Sequence, residues 1–277
     1  MNFRCVTELD LKISEIKLTA KLAKTILDGP EIGNVLGEMA EAPCRRSTAN
    51  TMTKAALVLL TGYFEGFLKK LIEEFVGELN DLELPLNLAG DELLLSVLQH
   101  SIGVDRAKTM PKAMELKSCI AGDGHYPLML ETAGKTGGNP SVDNVESLFL
   151  RLGIPEIIDK LSVRDFSLDN TYVTVSHSQQ LQRHIEAALG GDLASSQKIF
   201  EIIDNKWTPK KQRRDVGYVG VIQELLKKRN KIAHGENWGE QVTPAELSGF
   251  CDQIIKLCSG IAEFLYDELN SYKQKIA

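Results

Sequence analysis

The chain has 277 residues and a mass of 30.6 kDa, with 43% hydrophobic and 25% charged residues; that balance excludes disorder and fibrous repeats and suffices for one large domain or two small ones. A formal net charge of −6 excludes a polyanion binder acting through its overall field, so any nucleic-acid site has to be a local basic patch. No apolar run reaches the roughly 18 to 20 residues that span a bilayer, Met1–Cys5 carries no signal-peptide core, and five scattered cysteines (5, 44, 119, 251 and 258) without a Cys-x-x-Cys pair read as free thiols of a reducing cytoplasm.

The apolar spacing is helical almost throughout. Residues 6–28 carry Leu9, Ile13, Ile16, Ala20, Ala23 and Leu27 at three- and four-residue steps, and Gly29-Pro30 ends that helix, because proline has no N–H and restricts the residue before it. A short helical stretch over 31–41 stops before Pro43. The longest clean segment, 47–80, presents Ala56, Leu57, Leu60, Phe64, Phe67, Leu68, Leu71, Ile72 and Phe75, a stripe wide enough to bury against two neighbours. Two short helices are expected at 92–100 and 105–120, and the glycine-rich residues 121–140 read as a loop. Helical spacing resumes at 142–152 and, after Gly153, at 154–161. Thr171–Val175 is the one β-branched run, a short extended piece with no partner strand.

Helices are expected at 177–189 and 193–205, on either side of Gly190-Gly191. Val216–His234 has Val219, Ile222, Leu225, Leu226, Asn230 and Ala233 in register, with Gly235 in the C′ place. The last helix opens on Thr243-Pro244-Ala245-Glu246, which are the N-cap, N1, N2 and N3 residues of a capping box. Leu247, Phe250, Ile254, Leu257, Cys258, Ile261, Leu265 and Leu269 carry its stripe to about Lys275. The expectation is an all-α protein. Helices 47–80, 216–234 and 243–275 form its core bundle, 1–46 is an N-terminal helical extension, and about 85–205 is an elaborated helical insertion in a 47–277 domain.

Charge is concentrated in one window. Residues 206–231 hold nine basic side chains and two acids, a net +7 that leaves the rest of the chain at −13. A charge block of this kind is commonly a solvated helix face. At its end stands Lys228-Arg229-Asn230-Lys231-Ile232-Ala233-His234-Gly235. Arg229 and His234 are about 140° apart around the helix axis, within reach of a long guanidinium side chain. Asn230 and His234, at i and i+4, share a face. His234 falls in the last turn, where the helix dipole favours a cation, and the plain alternative is a histidine capping carbonyls there. Glu65, at the edge of the 47–80 stripe, needs a cationic partner if it is buried, for which Arg229 is the candidate, or faces solvent.

Other signals are weaker. Gly134-Lys135-Thr136 lacks the earlier glycine and the strand-to-helix context of a phosphate loop, and His177 and His184 have no further ligand to complete a metal set. Trp207, Tyr218 and Trp238 are the aromatics nearest the basic window, each as suited to a core as to base stacking.

Two segments together resemble a family. Arg229–Gly235 is similar to the Arg-x4–6-His motif of HEPN domains, including the polar residue after the arginine, and Leu57–Leu68 resembles the early core helix of the larger prokaryotic members. Gly137-Gly138-Asn139-Pro140, Asn144–Phe149 and Leu152-Gly153-Ile154 resemble their central segment. The resemblance spans 47–240 in order, with gaps, and is closest to the RiboL-PSP-associated HEPN proteins of conflict systems.

It implies a HEPN-type helical bundle and a metal-independent endoribonuclease that uses no cofactor, works as a homodimer, and serves a defence or toxin–antitoxin system with an antitoxin or other defence protein as partner. On that reading His234 transfers the proton, Arg229 stabilises charge on the phosphate, Asn230 positions phosphate or imidazole, and Glu65 orients Arg229. Lys227, Lys228 and Lys231 would hold flanking RNA phosphates. The alternative is a non-catalytic helical module that binds RNA, a nucleotide or a protein.

Overall fold

A 25-residue helix, α1 (Arg4–Asp28), opens the chain, and its spacing buries Leu9, Ile13, Ile16, Ala20 and Ala23 on one side. Leu27 breaks the expected stripe and is 37% exposed. The computed structural model describes residues 3–28, 42–89, 93, 106–121, 125, 128, 134, 138–166, 187, 190–191, 216–234 and 239–276. The expected helices at 31–41, 177–189 and 193–205, nearly all of that at 92–100, the run 171–175 and most of the 121–140 loop lie outside the described residues. So do Lys206–Asp215, His177, His184, Trp207, Gly235 and Trp238.

The next elements are α2 (Ala42–Asp81), a 3-10 turn at Leu86–Leu88, α3 (Arg106–Ala121), α4 (Val142–Leu150), α5 (Ile157–Phe166), α6 (Gly217–His234) and α7 (Pro244–Ile276). Among the described residues the only extended pairing is an isolated antiparallel bridge between Pro85 and His125, so the protein is all-α.

The core is the stripe expected on α2. The nine stripe residues expected between Ala56 and Phe75 are all buried, as are the eight stripe residues of α7 expected between Leu247 and Leu269. Fully burying a Leu or Phe contributes about 1.5–3 kcal/mol, so α2 and α7 dominate the stability of this region. α1 packs on both of them. Its first turn is fixed by the Cys5 amide, which donates to the Glu74 carboxylate of α2 at 3.0 Å, and its middle by Lys17 against Asp252 of α7 at 2.6 Å.

The α4–α5 junction shows why α5 starts later than its apolar spacing suggests. Gly153 takes φ +82°, and Ile154 N–H returns to Phe149 C=O at 3.0 Å while Gly153 N–H returns to Leu150 C=O at 2.9 Å, a Schellman close. Glu156, at φ +59°, delays the new helix, whose first amide, Ile157 N–H, is capped by the buried Glu146 carboxylate at 3.1 Å. Gly134 lies against α2, where a Cβ would come within 3.3 Å of the Lys69 carbonyl.

The chain divides into two compact units, Met1–Ile157 with Ile222–Ala277, and Ile158–Val221. Within the second, Ser162 Oγ accepts the Tyr218 amide at 3.0 Å, and the fully buried Tyr218 donates its hydroxyl to Asp165 and meets Phe166 edge-on at 4.9 Å. Tyr218 is therefore a core residue.

Candidate functional site

The motif lies on the last three turns of α6, which ends at His234. At about 100° per residue, Lys227 and His234 point the same way, Lys231 and Lys228 fall progressively to one flank, and Asn230 and then Arg229 fall to the other. Ile222 and Leu225, on the far side, are fully buried and hold the helix to the core. This orientation exposes Lys227 and His234 and leaves Arg229, Asn230, Lys228 and Lys231 half-buried.

On the arginine flank, Arg229 Nη1 donates to Asn230 Oδ1 at 3.0 Å. That bond draws the guanidinium round the helix towards the face that Asn230 shares with His234. Among the described residues no hydrogen bond joins Arg229 to His234, and the imidazole has no hydrogen-bond partner.

The expected pairing of Glu65 with Arg229 is not formed. Glu65 instead takes Lys69 Nζ at 2.8 Å. Lys69 is one turn further along the same helix, so its amine reaches the carboxylate without crossing between elements. Glu65 keeps 28% of its side chain exposed, which places it at the margin of the α2 stripe.

The lysine flank also departs from expectation. Lys231 Nζ lies 3.1 Å from Glu240 Oε2, and Lys228 Nζ lies 3.5 Å from Glu240 Oε1 and 2.8 Å from Glu246 Oε1. Lys228 and Lys231 are thus engaged by carboxylates and are not open phosphate contacts in the folded chain. The Lys231 bond holds the Glu240 carboxyl below its ordinary range, and the Glu246 bond raises the Lys228 ammonium above its own. Lys227 forms no ion pair among the described residues and remains an exposed cation at the motif.

Glu246 has a second duty, the one its sequence position announces. Its amide donates to Thr243 Oγ1 at 3.1 Å, and its Oε2 accepts the Thr243 amide at 3.4 Å, completing the capping box of α7. The segment before that cap is fixed to α2. Asn50 Nδ2 donates to the Glu240 carbonyl at 3.3 Å and Asn50 Oδ1 accepts the Val242 amide at 3.1 Å, while Thr53 Oγ1 donates to the Val242 carbonyl at 2.6 Å.

Sequence reasoning named neither Asn50, Thr53 nor Glu240. Their signal was available for Thr53, a polar residue one turn before Leu57 and so on the buried face of α2. Glu240 carried none, because its partners are fixed only by how the chain turns after His234.

A cavity of about 420 Å³ lies between α1 and α7, lined by Phe3, Val6 and Tyr266 with Asp10, Glu263 and Asp267 among them. Its carboxylates repel a polyanion, so it does not compete with α6 as a nucleic-acid site. Among the described residues no helix is long and apolar enough to cross a membrane.

Of three comparisons with known proteins, one finds a match. No curated protein and no solved structure matches the chain. One family model does, RiboL-PSP-HEPN, over residues 38–267, which takes in α2 to α6 and most of α7 and leaves α1 outside. With a match over most of its length and an all-α fold carrying Arg229 and His234 at the end of a buried-faced helix, the chain belongs to the RiboL-PSP-HEPN family.

Proposed function

We propose that this protein is a metal-independent endoribonuclease that acts as a homodimer, with Arg229 and His234 as its catalytic residues. The observation that carries the reading is the arrangement at the end of α6: an exposed imidazole with no hydrogen-bond partner among the described residues, and a guanidinium led towards the same face by its bond to Asn230. RNA supplies its own nucleophile, so the site has only to move protons and hold charge. One His234 takes the proton of a ribose 2′-hydroxyl as the 2′-oxygen bonds to phosphorus. A second imidazole gives a proton to the 5′-oxygen as its bond to phosphorus breaks. Arg229 stabilises the charge that builds on the non-bridging oxygens.

One imidazole cannot conveniently serve both oxygens, and a two-fold dimer brings two. Asn230 holds Arg229 in place. Lys227 contributes an exposed positive charge that forms no ion pair among the described residues. Glu65, engaged by Lys69, has no orienting role towards Arg229 within one chain.

The test is cleavage of single-stranded RNA and tRNA by purified protein, with and without a chelator. The wild type is expected to cut under both conditions, and His234→Ala and Arg229→Ala to lose cleavage, and any toxicity on expression, while keeping wild-type helicity and thermal midpoint. A folded His234→Ala protein that still cuts refutes the assignment, and inhibition by the chelator refutes metal independence. Tight, salt-sensitive RNA binding without turnover in the wild type would make the chain a binding module instead.

A further inference from the structure

We propose that Glu240 is a positioning residue for the reaction: by holding Lys231 and Lys228 with its two oxygens, it ties the last turns of α6 to the segment 240–243 and so sets the direction from which the imidazole meets the scissile phosphate. The inference rests on the proposed nuclease reading. It starts from chain topology. Lys231 and Glu240 are nine positions apart, and His234 lies between them, inside the ring that their ion pair closes. A helix end without such a closure frays in its last turn, and its final side chain wanders with it.

The closure is anchored at both ends. Lys231 and Lys228 belong to a helix held to the core by the fully buried Ile222 and Leu225. Glu240 belongs to a segment bonded to Asn50 and Thr53 of α2, and the next anchor, Val242, is only 2% exposed. The carboxylate couples these two fixed bodies across the motif. It does so in partly dry surroundings, with side-chain exposures of 12% for Glu240 and 16% for Lys228. A fully exposed lysine–carboxylate pair holds little, whereas this network has four members, two of each sign, with a backbone pinned beneath it.

The same geometry distinguishes positioning from competition. If Glu240 merely stood where a phosphate would otherwise bind, its carboxylate would have no need of a pinned backbone or of a second acid on Lys228. Glu246 supplies that second acid at 2.8 Å and is itself tied into the α7 cap. Both lysines therefore act as fastenings of the site's edge.

The experiment is a charge-swap cycle at Lys231 and Glu240 in the full-length protein, read by steady-state cleavage of a single-stranded RNA oligonucleotide and by amide hydrogen exchange of residues 231–234. Glu240→Gln is expected to lower kcat by about 10- to 100-fold, the size of effect that a small misplacement of a catalytic group produces, with KM little changed. Exchange in the last turn of α6 should speed up in the same variant. The double variant Lys231→Glu with Glu240→Lys should recover part of the lost kcat and of the slow exchange, because the 231–240 pair re-forms with its signs reversed while Lys228 keeps Glu246.

A Glu240→Gln protein that binds RNA more tightly at unchanged kcat, or a swap that recovers nothing, overturns the proposal. If the wild type does not cleave RNA, the nuclease reading falls separately. The exchange arm then still decides whether Glu240 holds the helix end, and unchanged exchange in Glu240→Gln overturns that too.

Discussion

The engaged state of two of the three motif lysines makes a quantitative prediction about salt. Each lysine that neutralises a phosphate of single-stranded nucleic acid contributes about −0.7 to the slope of log K against log salt, through released counterions. Lys228 and Lys231 are held at 2.8 Å and 3.1 Å by carboxylates, so an arriving phosphate releases little through them. Lys227 is exposed and forms no ion pair among the described residues.

In the proposed dimer two copies of Lys227 contribute, so Lys227→Ala should make the slope shallower by about 1.4, twice the single-contact value. Over a fourfold rise in salt, the variant should then lose about sevenfold less affinity than the parent. The assay is fluorescence anisotropy of a labelled single-stranded RNA, in a His234→Ala background so that cleavage does not interfere. Lys228→Ala and Lys231→Ala should leave the slope nearly unchanged and lower the unfolding midpoint instead. Equal losses of slope at all three positions would refute the reasoning, since the ion pairs would then give way freely to phosphate.

Gly62 and Gly66 stand in the middle of α2, and a Cβ at either would meet nothing within 4 Å. Gly62→Ala and Gly66→Ala should therefore each stabilise the protein by about 0.8–1 kcal/mol, from helix propensity alone, raising the thermal midpoint; a lowered midpoint would mean that something covers that face. Acid should loosen the Glu240 fastening in a defined direction. Its carboxyl is held below 4.5, chiefly by the Lys231 bond, so the stability it contributes is present above 4.5 and is lost as pH falls through the lower folded value. Thermal unfolding of wild type and Glu240→Gln should converge in that acid range, and a gap that persists at full protonation would show that the charge is not what holds.

The long helices were legible because their evidence is local. The α2 and α7 stripes repeat every three or four residues for more than five turns, and Thr243-Pro244-Ala245-Glu246 states its cap within one turn, so the observed bounds differ from the expected ones by a few residues at most. α5 was placed less well. Its start depends on the positive φ of Glu156 and on a cap from Glu146 eleven residues back, and neither leaves a mark in the apolar spacing. At the site, the Arg229–Asn230 bond is a neighbour effect that the sequence allows one to anticipate. The ion pairs of Lys228 and Lys231 were not legible because their acids, Glu240 and Glu246, lie beyond the end of the helix, and the pairing of Glu65 was not because a nearer cation on its own helix takes it.

The resulting site is divided by the helix itself. One flank of α6 is fastened to the rest of the fold through Lys228, Lys231 and Glu240, and the other carries Arg229 bent towards Asn230. His234 stands between them, exposed, with no hydrogen-bond partner for its ring among the described residues. Arg229 starts about 140° from His234 around the axis, and its bond to Asn230 recovers only part of that angle. A phosphate that touches both groups of one chain has to sit over Asn230, on the open side of the helix. That side carries the exposed or half-buried Lys227, Asn230 and His234, and in the proposed dimer a second chain facing it would set its own imidazole across the same phosphate.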